Sequence, residues 1–375
     1  MRVAIITPRY PPVVHGGGEI SVQLLANELS PHVDRVEVFS FDGADARSVD
    51  GIRVHRFRSL PHQIMECSNL LAYLPLRRKF KQLESFDVLH SYNIVLNPIV
   101  GRLSSQMGVP SVATLNSYDL LPKSAFGIKA PPKRHLYELL SMGTTGRIIR
   151  SETKQINRFI TLSDASRTIY RENGFQDVPI DVVPNMLDPS FEVPESGTDS
   201  NSFQLLFVGS LIREKGVKYL IESLSHLSSD ISLRVVGTGD QRQPLESLAN
   251  RLGVNSRVDF TGQIPYEQLR QYYTDADLFV HPGIWPEPFG RTLLEAMQAG
   301  LPVVATNLGG PAEIVQQDEL LCPPRNAKKL AETISLARDR SGDGVQNQAY
   351  VYKRYSPETV IDEICDVYRL AMDRQ

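Results

Sequence analysis

The sequence has few cysteines and no long apolar run, and both absences restrict what the protein can be. Its three cysteines, Cys67, Cys322 and Cys365, are far apart and form no CxxC pair, so we expect neither a disulfide framework nor a zinc ribbon. No apolar run reaches the ~18 residues that span a bilayer, and Val3–Thr7 is too short for a signal peptide. We therefore expect a cytoplasmic protein that at most lies on a membrane surface.

The sequence also has little excess of either charge. Its 40 lysines and arginines nearly balance 43 aspartates and glutamates, which argues against a nucleic-acid partner. The distribution is uneven, because residues 1–186 hold 22 cations and 17 anions whereas residues 187–375 hold 18 and 26. Cations concentrate in Arg77–Lys81 and between Lys123 and Arg158. These segments predict either a contact with an anionic acceptor or anionic membrane surface, or simply solvated helix faces.

Motifs for metals and redox cofactors are missing as well. The eight histidines include no HExxH spacing, and Gly237-Thr238-Gly239 lacks the third glycine of a dinucleotide fingerprint. We therefore expect no bound metal and no cofactor.

The composition is that of a folded protein with two cores. The 375 residues, 41% of them hydrophobic and 22% charged, are enough for two domains and do not resemble a disordered chain. Short β-branched runs alternate with longer amphipathic ones, which predicts an α/β protein with parallel sheets and crossover helices. The predicted strands are Arg2–Thr7, Val36–Ser40, Arg53–Phe57, Asp87–Tyr92, Ser111–Asn116, Arg158–Ser163, Gln204–Ser210, Leu233–Gly239, Val258–Gly262, Asp277–Pro282, Pro302–Asn307 and Leu320–Pro323.

The chain divides into two halves with similar beginnings. We place an N-terminal domain at residues 1–186 and a second domain at 187–356, joined through a Pro- and Ser-containing linker at Pro184–Ser202. In each half a buried strand leads through a glycine-bearing loop to a helix. This helix begins near Glu19 in the first half and at Val217 in the second half. Doubly wound sheets bind ligands at the carboxyl ends of their strands, so two facing units would form a cleft. A helical apolar stripe follows at Pro357–Leu370.

The strongest local signal is the segment Glu287–Met297, directly after a predicted strand. Loop amides and a helix N-terminus, including those at Phe289, Gly290 and Arg291, suit phosphate oxygens. The carboxylate of Glu295, about a turn into the helix, can accept two hydrogen bonds from a ribose diol. Glu287 would face whatever lies beyond the phosphates. The alternative is an ordinary helix start with acidic residues favoured by its dipole.

Two further loops carry glycines beside polar residues. In Gly209–Gly216, Arg213 and Lys215 can supply cations for a diphosphate, although the spacing is not that of a P-loop. An ordinary strand-to-helix turn is the alternative there.

In the first half, Gly16, Gly17 and Gly18 permit a close ligand approach or form a flexible loop. His90 and Asn116 end neighbouring strands at the same rim, and His90 is either a site residue or a structural histidine.

Taken together, these residues resemble the retaining glycosyltransferases of family 4. The resemblance spans nearly the whole chain and implies the GT-B fold, in which two Rossmann-like domains face each other across a cleft. The segments that carry it are Gly16–Glu19, Ser163–Ser166, Pro184–Asp188, Lys215-Gly216, Val236–Gly239, Glu287–Met297, Pro302–Thr306, Gly309-Gly310 and Glu313.

The resemblance also implies roles for the candidate residues. A UDP- or GDP-sugar would lie against the second domain, with Glu295 on the ribose, Lys215 on the diphosphate, and Glu287 on the sugar with the Phe289 and Gly290 amides. The loop of Gly17 and Gly18 would close over the phosphates and acceptor, and the last helix would pack on the first domain. A hexosyl unit would pass with retention, and without metal, to a glycan or glycolipid.

Two positions depart from the family pattern. Ser210 stands where an arginine often follows the glycine, and Arg213 can supply the cation instead. Asn116 stands where a histidine usually ends the strand, and an asparagine can hydrogen-bond a sugar but cannot shuttle a proton. Both departures keep open a second hypothesis, a nucleotide-sugar-binding protein without transferase activity.

Overall fold

The computed structural model describes residues 1–14, 16–61, 65–126, 132–141, 144–191, 203–340 and 343–373. The chain forms two units, unit 1 from residues 1–186 with 357–375, and unit 2 from residues 187–356. Each unit is built on its own β-sheet, so the α/β class predicted from the alternating sequence pattern is confirmed.

The secondary structure follows the chain in this order. The strands are β1 (Arg2–Thr7), β2 (Arg35–Ser40), β3 (Ser48–Val49), β4 (Ile52–Arg56), β5 (Val88–Tyr92), β6 (Ser111–Leu115), β7 (Arg158–Thr161), β8 (Ile180–Val182), β9 (Phe203–Val208), β10 (Ile231–Val236), β11 (Val258–Gly262), β12 (Leu278–His281), β13 (Val303–Thr306) and β14 (Leu321–Cys322). The helices are α1 (Gly17–Leu29), α2 (Met65–Arg78), α3 (Phe80–Leu83), α4 (Asn97–Met107), α5 (Pro132–Ser141), α6 (Thr145–Thr153), α7 (Asp164–Tyr170), α8 (Val217–Ser223), α9 (Arg242–Arg251), α10 (Tyr266–Thr274), α11 (Arg291–Gln298), α12 (Gly310–Ile314), α13 (Ala327–Arg338), α14 (Asp343–Arg354) and α15 (Pro357–Met372).

Unit 1 has an eight-stranded sheet in the order β3-β4-β2-β1-β5-β6-β7-β8. Its strand pairs are parallel except β3 with β4, which form a short antiparallel edge. The central strand β1 is apolar along its length because both of its faces are covered. Val3 and Ile5 enter one core, and Ala4 and Ile6 enter another on the opposite face.

The C-terminal helix α15 completes the first of these cores. Its stripe of apolar side chains is buried against α1 and the sheet of unit 1, and Pro357 occupies its first turn, where a missing N–H costs nothing. The contacts with α1 join residues more than 300 positions apart in sequence, so the N-terminal unit is completed only by the last segment. The buried members of the stripe are Val360, Ile361, Ile364, Cys365, Val367, Tyr368 and Ala371.

Unit 2 has a six-stranded parallel sheet in the order β11-β10-β9-β12-β13-β14. The chain runs outward from β9 to β11 and then returns to the other side of β9 with β12. This reversal is the topological switch point at which doubly wound sheets bind ligands, next to the carboxyl ends of β9 and β12. The segments after these two strands are therefore the first place to look for a site.

Several details differ from the sequence-based expectation. The short strands β3 and β8 were not predicted, because two or three residues give too little pattern to distinguish a strand from a loop. Helix α1 begins at Gly17 rather than near Glu19, so two of the three glycines lie inside the helix. Of the predicted linker Pro184–Ser202, residues 192–202 lie outside the described residues. Within the described chain, no helix has the length and apolar character required to cross a bilayer.

Candidate functional site

The loops that follow β9 and β12 are held in direct contact. Gly216, between the loop after β9 and helix α8, has a φ of 71°, which favours glycine. A Cβ atom at Gly216 would lie 1.9 Å from the carbonyl oxygen of Pro282, which follows β12. The backbone N–H of Ile284 donates to the carbonyl of Glu214 at 2.9 Å and closes the same contact. The absence of a side chain at Gly216 therefore lets the two predicted segments meet.

Lys215 and Glu287 form an ion pair where these loops meet. The Lys215 Nζ donates to Glu287 Oε2 at 2.8 Å, and Glu287 is 8% exposed. Burial alone would raise the pKa of the Glu287 carboxyl. The ammonium of Lys215 and the adjacent ring of His281 outweigh it and lower that pKa well below its usual range. Glu287 is therefore an anion held by a cation, with two of the three Lys215 N–H donors left for other acceptors.

His281, the last residue of β12, was not singled out from the sequence. Its Nε2 lies 3.3 Å from Glu287 Oε1, yet neither ring nitrogen nor that oxygen makes a hydrogen bond within the described part of the chain. Buried polar atoms without partners cost about 1–3 kcal/mol each, so these three atoms mark a place for a polar ligand or water. Its position at the carboxyl end of a strand beside the switch point was the signal that could have identified it.

Glu295 lies one turn into α11, as predicted, but already has partners. Its Oε2 accepts from the Tyr273 hydroxyl at 2.9 Å, and its Oε1 accepts from Arg291 Nε at 3.0 Å. Burial raises the pKa of Glu295 despite Arg291. Arg291 also donates to the Tyr266 hydroxyl at 3.2 Å, which places this guanidinium as a support of the carboxylate. A carboxylate has about four acceptor positions, so Glu295 can still accept a further hydrogen bond.

The loop that carries Phe289 and Gly290 is held in place by Gly310, the first residue of α12. The N–H of Gly310 donates to the carbonyl of Glu287 at 2.8 Å, and a Cβ there would lie 2.5 Å from the Pro288 carbonyl oxygen. Phe289 is buried with its ring edge-on to Tyr355, and Gly290 directly precedes α11. The backbone amides of this loop are thereby held rigidly at the start of α11.

Ser210 and Arg213 follow β9 and lie at the carboxyl edge of the unit 2 sheet, as Lys215 does. Both are exposed, and Arg213 makes no ion pair with any residue that the structure describes. Gly237 approaches so closely that a Cβ would lie 2.0 Å from the Gly209 carbonyl oxygen. The glycines after β9 and β10 therefore pack these loops together, which is a backbone role and not that of a dinucleotide fingerprint.

In unit 1, Gly18 and Asn116 are neighbours. A Cβ at Gly18 would lie 3.7 Å from Asn116 Nδ2, and Asn116 Oδ1 is buried without a hydrogen bond inside the described ranges. The turn before Gly17 is held by Glu19, whose Oε2 accepts from the N–H of Gly16 at 3.0 Å. Asn116, Gly17 and Gly18 thus form a second polar cluster at the carboxyl edge of the unit 1 sheet.

His90 does not face this cluster. Its ring is fully buried, with Nδ1 2.6 Å from the Tyr368 hydroxyl and Nε2 2.8 Å from the Thr114 hydroxyl. Burial lowers the pKa of His90 to about 3, so the ring is neutral at physiological pH. This is the environment of a structural histidine, which was the alternative that the sequence left open. Through these two contacts His90 joins α15 to the sheet of unit 1.

The Glu287 ion pair makes the stability of unit 2 dependent on pH. A carboxyl with a depressed pKa contributes stability that is present above its ordinary pKa of 4.5 and is lost as the pH falls below that value. We expect Glu287→Gln to flatten the loss of unfolding free energy as the pH falls below about 4.5. Urea unfolding followed by Trp285, the single tryptophan, measures this. The control is Glu222→Gln, which removes the carboxylate of the more exposed pair with Lys218. Its unfolding free energy should depend on pH as that of the wild type does. An unchanged slope in Glu287→Gln would contradict the expectation.

The comparison with known proteins concerns the family and the fold. The profile of Glycosyltransferase Family 4 matches residues 15–191, and that of Glycosyl transferases group 1 matches residues 190–354. An uncharacterized glycosyltransferase of Methanocaldococcus jannaschii is 27% identical over 100% of this chain and 99% of its own length.

Among solved structures, sucrose-phosphate synthase from Thermosynechococcus elongatus superposes with a TM-score of 0.81 at 21% identity, covering 100% of both chains. Anabaena HepE in complex with UDP gives 0.78 at 22% identity, covering 98% of this chain and 99% of its own.

The matching profiles and the fold therefore define a glycosyltransferase with two parallel-sheet domains. The chain belongs to glycosyltransferase family 4, of the group 1 type, and has the GT-B fold.

Proposed function

We propose that this glycosyltransferase moves a hexosyl unit from a UDP- or GDP-sugar to a glycan or glycolipid acceptor, with retention at the anomeric carbon. The observation that carries the proposal is the ion pair of Lys215 with the buried Glu287, beside the unpartnered Glu287 Oε1 and His281 ring. The pair offers a cation for phosphate and a fixed carboxylate for sugar hydroxyls. HepE, which shares the fold, has been crystallised with UDP and with UDP-glucose, and this supports a nucleotide-sugar donor.

We assign the donor contacts as follows. Lys215, with Ser210 and Arg213 after β9, binds the diphosphate. The amides of Phe289 and Gly290 and the free oxygen of Glu287 bind the sugar. Glu295 accepts from the ribose diol, and Arg291 keeps its carboxylate in position. The buried Glu295 carboxylate is fixed by Tyr273 and Arg291 before the donor arrives, so no reorganisation is needed on binding.

The reaction that this site supports needs no metal. The bond between the anomeric carbon and the diphosphate oxygen breaks, and the acceptor oxygen bonds to the same face of that carbon. The acceptor proton passes to an oxygen of the departing diphosphate. Lys215 and the amides of the first turn of α11 stabilise the negative charge that develops on the leaving group, which is the largest contribution expected in such a site.

We place the acceptor on the side of unit 1, at Gly17, Gly18 and Asn116. The buried Oδ1 of Asn116 has no partner among the residues described and can accept a hydrogen bond from a sugar hydroxyl. Because an amide does not shuttle a proton, Asn116 orients the acceptor and leaves deprotonation to the diphosphate. His90, fully buried with both nitrogens occupied, has no part in this proposal.

A thermal-shift screen across UDP- and GDP-sugars tests donor binding. We expect one donor to raise the melting temperature, because a ligand at 100 times its Kd stabilises the native state by about 2.7 kcal/mol. Glu295→Gln should reduce the shift, whereas the exposed control Arg251→Gln should retain it. A donor that binds but is neither transferred nor hydrolysed would instead favour a binding protein without transferase activity. The absence of a shift with every donor would contradict both.

A further inference from the structure

His281, at the end of β12, differs from the buried His90 because no partner occupies its ring. His281 is 3% exposed, and within the described ranges neither of its ring nitrogens makes a hydrogen bond. The two ring nitrogens of His90, by comparison, lie 2.6 and 2.8 Å from hydroxyl oxygens. A buried imidazole without partners is unfavourable, so packing alone does not account for a histidine at this position.

The polar group next to the His281 ring is the carboxylate of Glu287. Nε2 of His281 lies 3.3 Å from Oε1 of Glu287, an oxygen that has no hydrogen-bond partner in the part of the chain that the structure describes. The other oxygen, Oε2, accepts from Nζ of Lys215 at 2.8 Å. Two different groups therefore face the two oxygens of one carboxylate. Because the Glu287 carboxylate is ionised and carries no proton, a hydrogen between Nε2 and Oε1 must belong to the ring.

Gly283 and Thr306 fix the place where the ring and the carboxylate meet. A Cβ atom at Gly283 would lie 3.1 Å from Cε1 of His281 and 3.6 Å from Oε1 of Glu287, so this glycine covers both groups. The Thr306 hydroxyl donates to the carbonyl of Gly283 at 2.7 Å. Hydrogen bonds in sites without substrate are often long or poorly aligned and tighten when the substrate binds. A small adjustment within this enclosure would align the Nε2–H group with Oε1.

Lys215 is not sufficient to fix Glu287 once a donor is bound. The proposed function assigns the ammonium of Lys215 to the donor diphosphate, which competes with Glu287 for its N–H groups. It also assigns Glu287 to the sugar hydroxyls, and a carboxylate can select a hydroxyl only if its own orientation is held. A second hydrogen-bond donor at Oε1 would keep that orientation while the contact of Oε2 with Lys215 weakens.

We propose that His281 is a positioning residue for recognition of the donor sugar, with its Nε2–H group donating to Oε1 of Glu287. The inference rests on the proposed function, in which Glu287 contacts the sugar. A carboxylate has about four acceptor positions, so Glu287 keeps others for sugar hydroxyls. His281 contacts no substrate itself, because both of its nitrogens are enclosed by protein. Its role therefore concerns the sugar and not the nucleoside diphosphate.

Isothermal titration calorimetry with two classes of probe tests this role. UDP and GDP report on the nucleoside diphosphate alone, whereas UDP-glucose, UDP-N-acetylglucosamine and GDP-mannose report on the sugar as well. The measured quantity is the affinity ratio, defined as the affinity for the nucleotide-sugar that the wild type binds best over the affinity for its nucleoside diphosphate. We expect His281→Leu to lower this ratio about tenfold, the effect of one hydrogen bond to a charged group. The affinity for the nucleoside diphosphate should remain that of the wild type.

Conservative substitutions separate a positioning role from a structural one. His281→Gln should restore the affinity ratio, because its amide nitrogen reaches the place of Nε2. His281→Asn, whose amide nitrogen corresponds to Nδ1, should not restore it. His281→Leu should melt no lower than the wild type, since it removes two buried nitrogens that are unpaired among the described residues.

Two further variants test the contact from outside the ring. Gly283→Ala should lower the affinity ratio as His281→Leu does, because its Cβ crowds the ring and Oε1 of Glu287. The matched control is His226→Leu, which changes an exposed histidine of unit 2 and should leave both affinities unchanged.

Three results would overturn the proposal. One is an unchanged affinity ratio in His281→Leu. Another is an equal loss of affinity for the nucleoside diphosphate and the nucleotide-sugar, which would mean that the histidine maintains the fold of the site. The third is recovery by His281→Asn as complete as that by His281→Gln. The proposed function fails separately: a wild-type chain that binds neither UDP nor GDP nor their sugars contradicts it and removes the basis of this role.

Discussion

Replacement of Lys215 by alanine should lower the turnover number for hexosyl transfer about 10²-fold, with a smaller change in donor KM. The expected loss corresponds to about 2.7 kcal/mol of transition-state stabilisation, the lower end of the range for one donor aimed at a developing oxyanion. Lys215 is positioned for this role because Glu287 and the contact of Gly216 with Pro282 fix it at the switch point. Steady-state kinetics with the donor identified by the thermal-shift screen measures the effect.

The matched control is Lys218→Ala, which removes the same charge three residues away. The Lys218 side chain is 59% exposed and pairs only loosely with Glu222, so its loss should leave kcat unchanged. Because Lys215→Ala leaves the buried Glu287 carboxylate without its cation, it should also destabilise unit 2. The double variant Lys215→Met/Glu287→Gln removes both charges and should recover stability without recovering transfer. Transfer at the wild-type rate in Lys215→Ala would refute the role of Lys215.

The parts of the fold that were predictable from sequence are those with strong apolar patterns. The central strands β1, β9 and β12 each contain a continuous apolar run, and such runs form strands buried on both faces whatever the detailed packing. Helix α15 was predicted from its stripe because every third or fourth residue is apolar. The two-residue strand β3 was missed because its existence depends on pairing with β4 and not on its own composition.

The candidate site was predictable as a set of residues but not as a network of contacts. Lys215 and Glu287 are 72 positions apart, and their pairing follows from the strand order of unit 2, which the sequence does not reveal. His281 was not identified for the same reason. It belongs to the site because its ring lies next to Glu287, and the sequence alone does not show that the two residues are neighbours. His90 shows the converse, since its partner Tyr368 is 278 positions away and leaves the ring no free nitrogen.

Gly216→Ala should strongly destabilise unit 2, because two unfavourable contributions coincide there. The φ of 71° costs a residue with a Cβ about 1–2 kcal/mol, and that Cβ would lie 1.9 Å from the Pro282 carbonyl oxygen. Backbone cannot rotate away as a flexible side chain does, so the loop after β12 must move, at a further cost of about 1–3 kcal/mol. We expect urea unfolding followed by Trp285 to show the summed loss.

Gly253→Ala separates the two contributions. Gly253 has a φ of 69°, but nothing lies within 4 Å of a Cβ placed there, so only the backbone cost applies. Gly216→Ala should therefore be more destabilising than Gly253→Ala by the cost of the contact alone. It should also abolish the donor-induced thermal shift, because a displaced Pro282 segment moves His281 and Glu287 away from Lys215. Equal destabilisation of the two variants, with donor binding retained in both, would mean that the contact between the loops does not position the site.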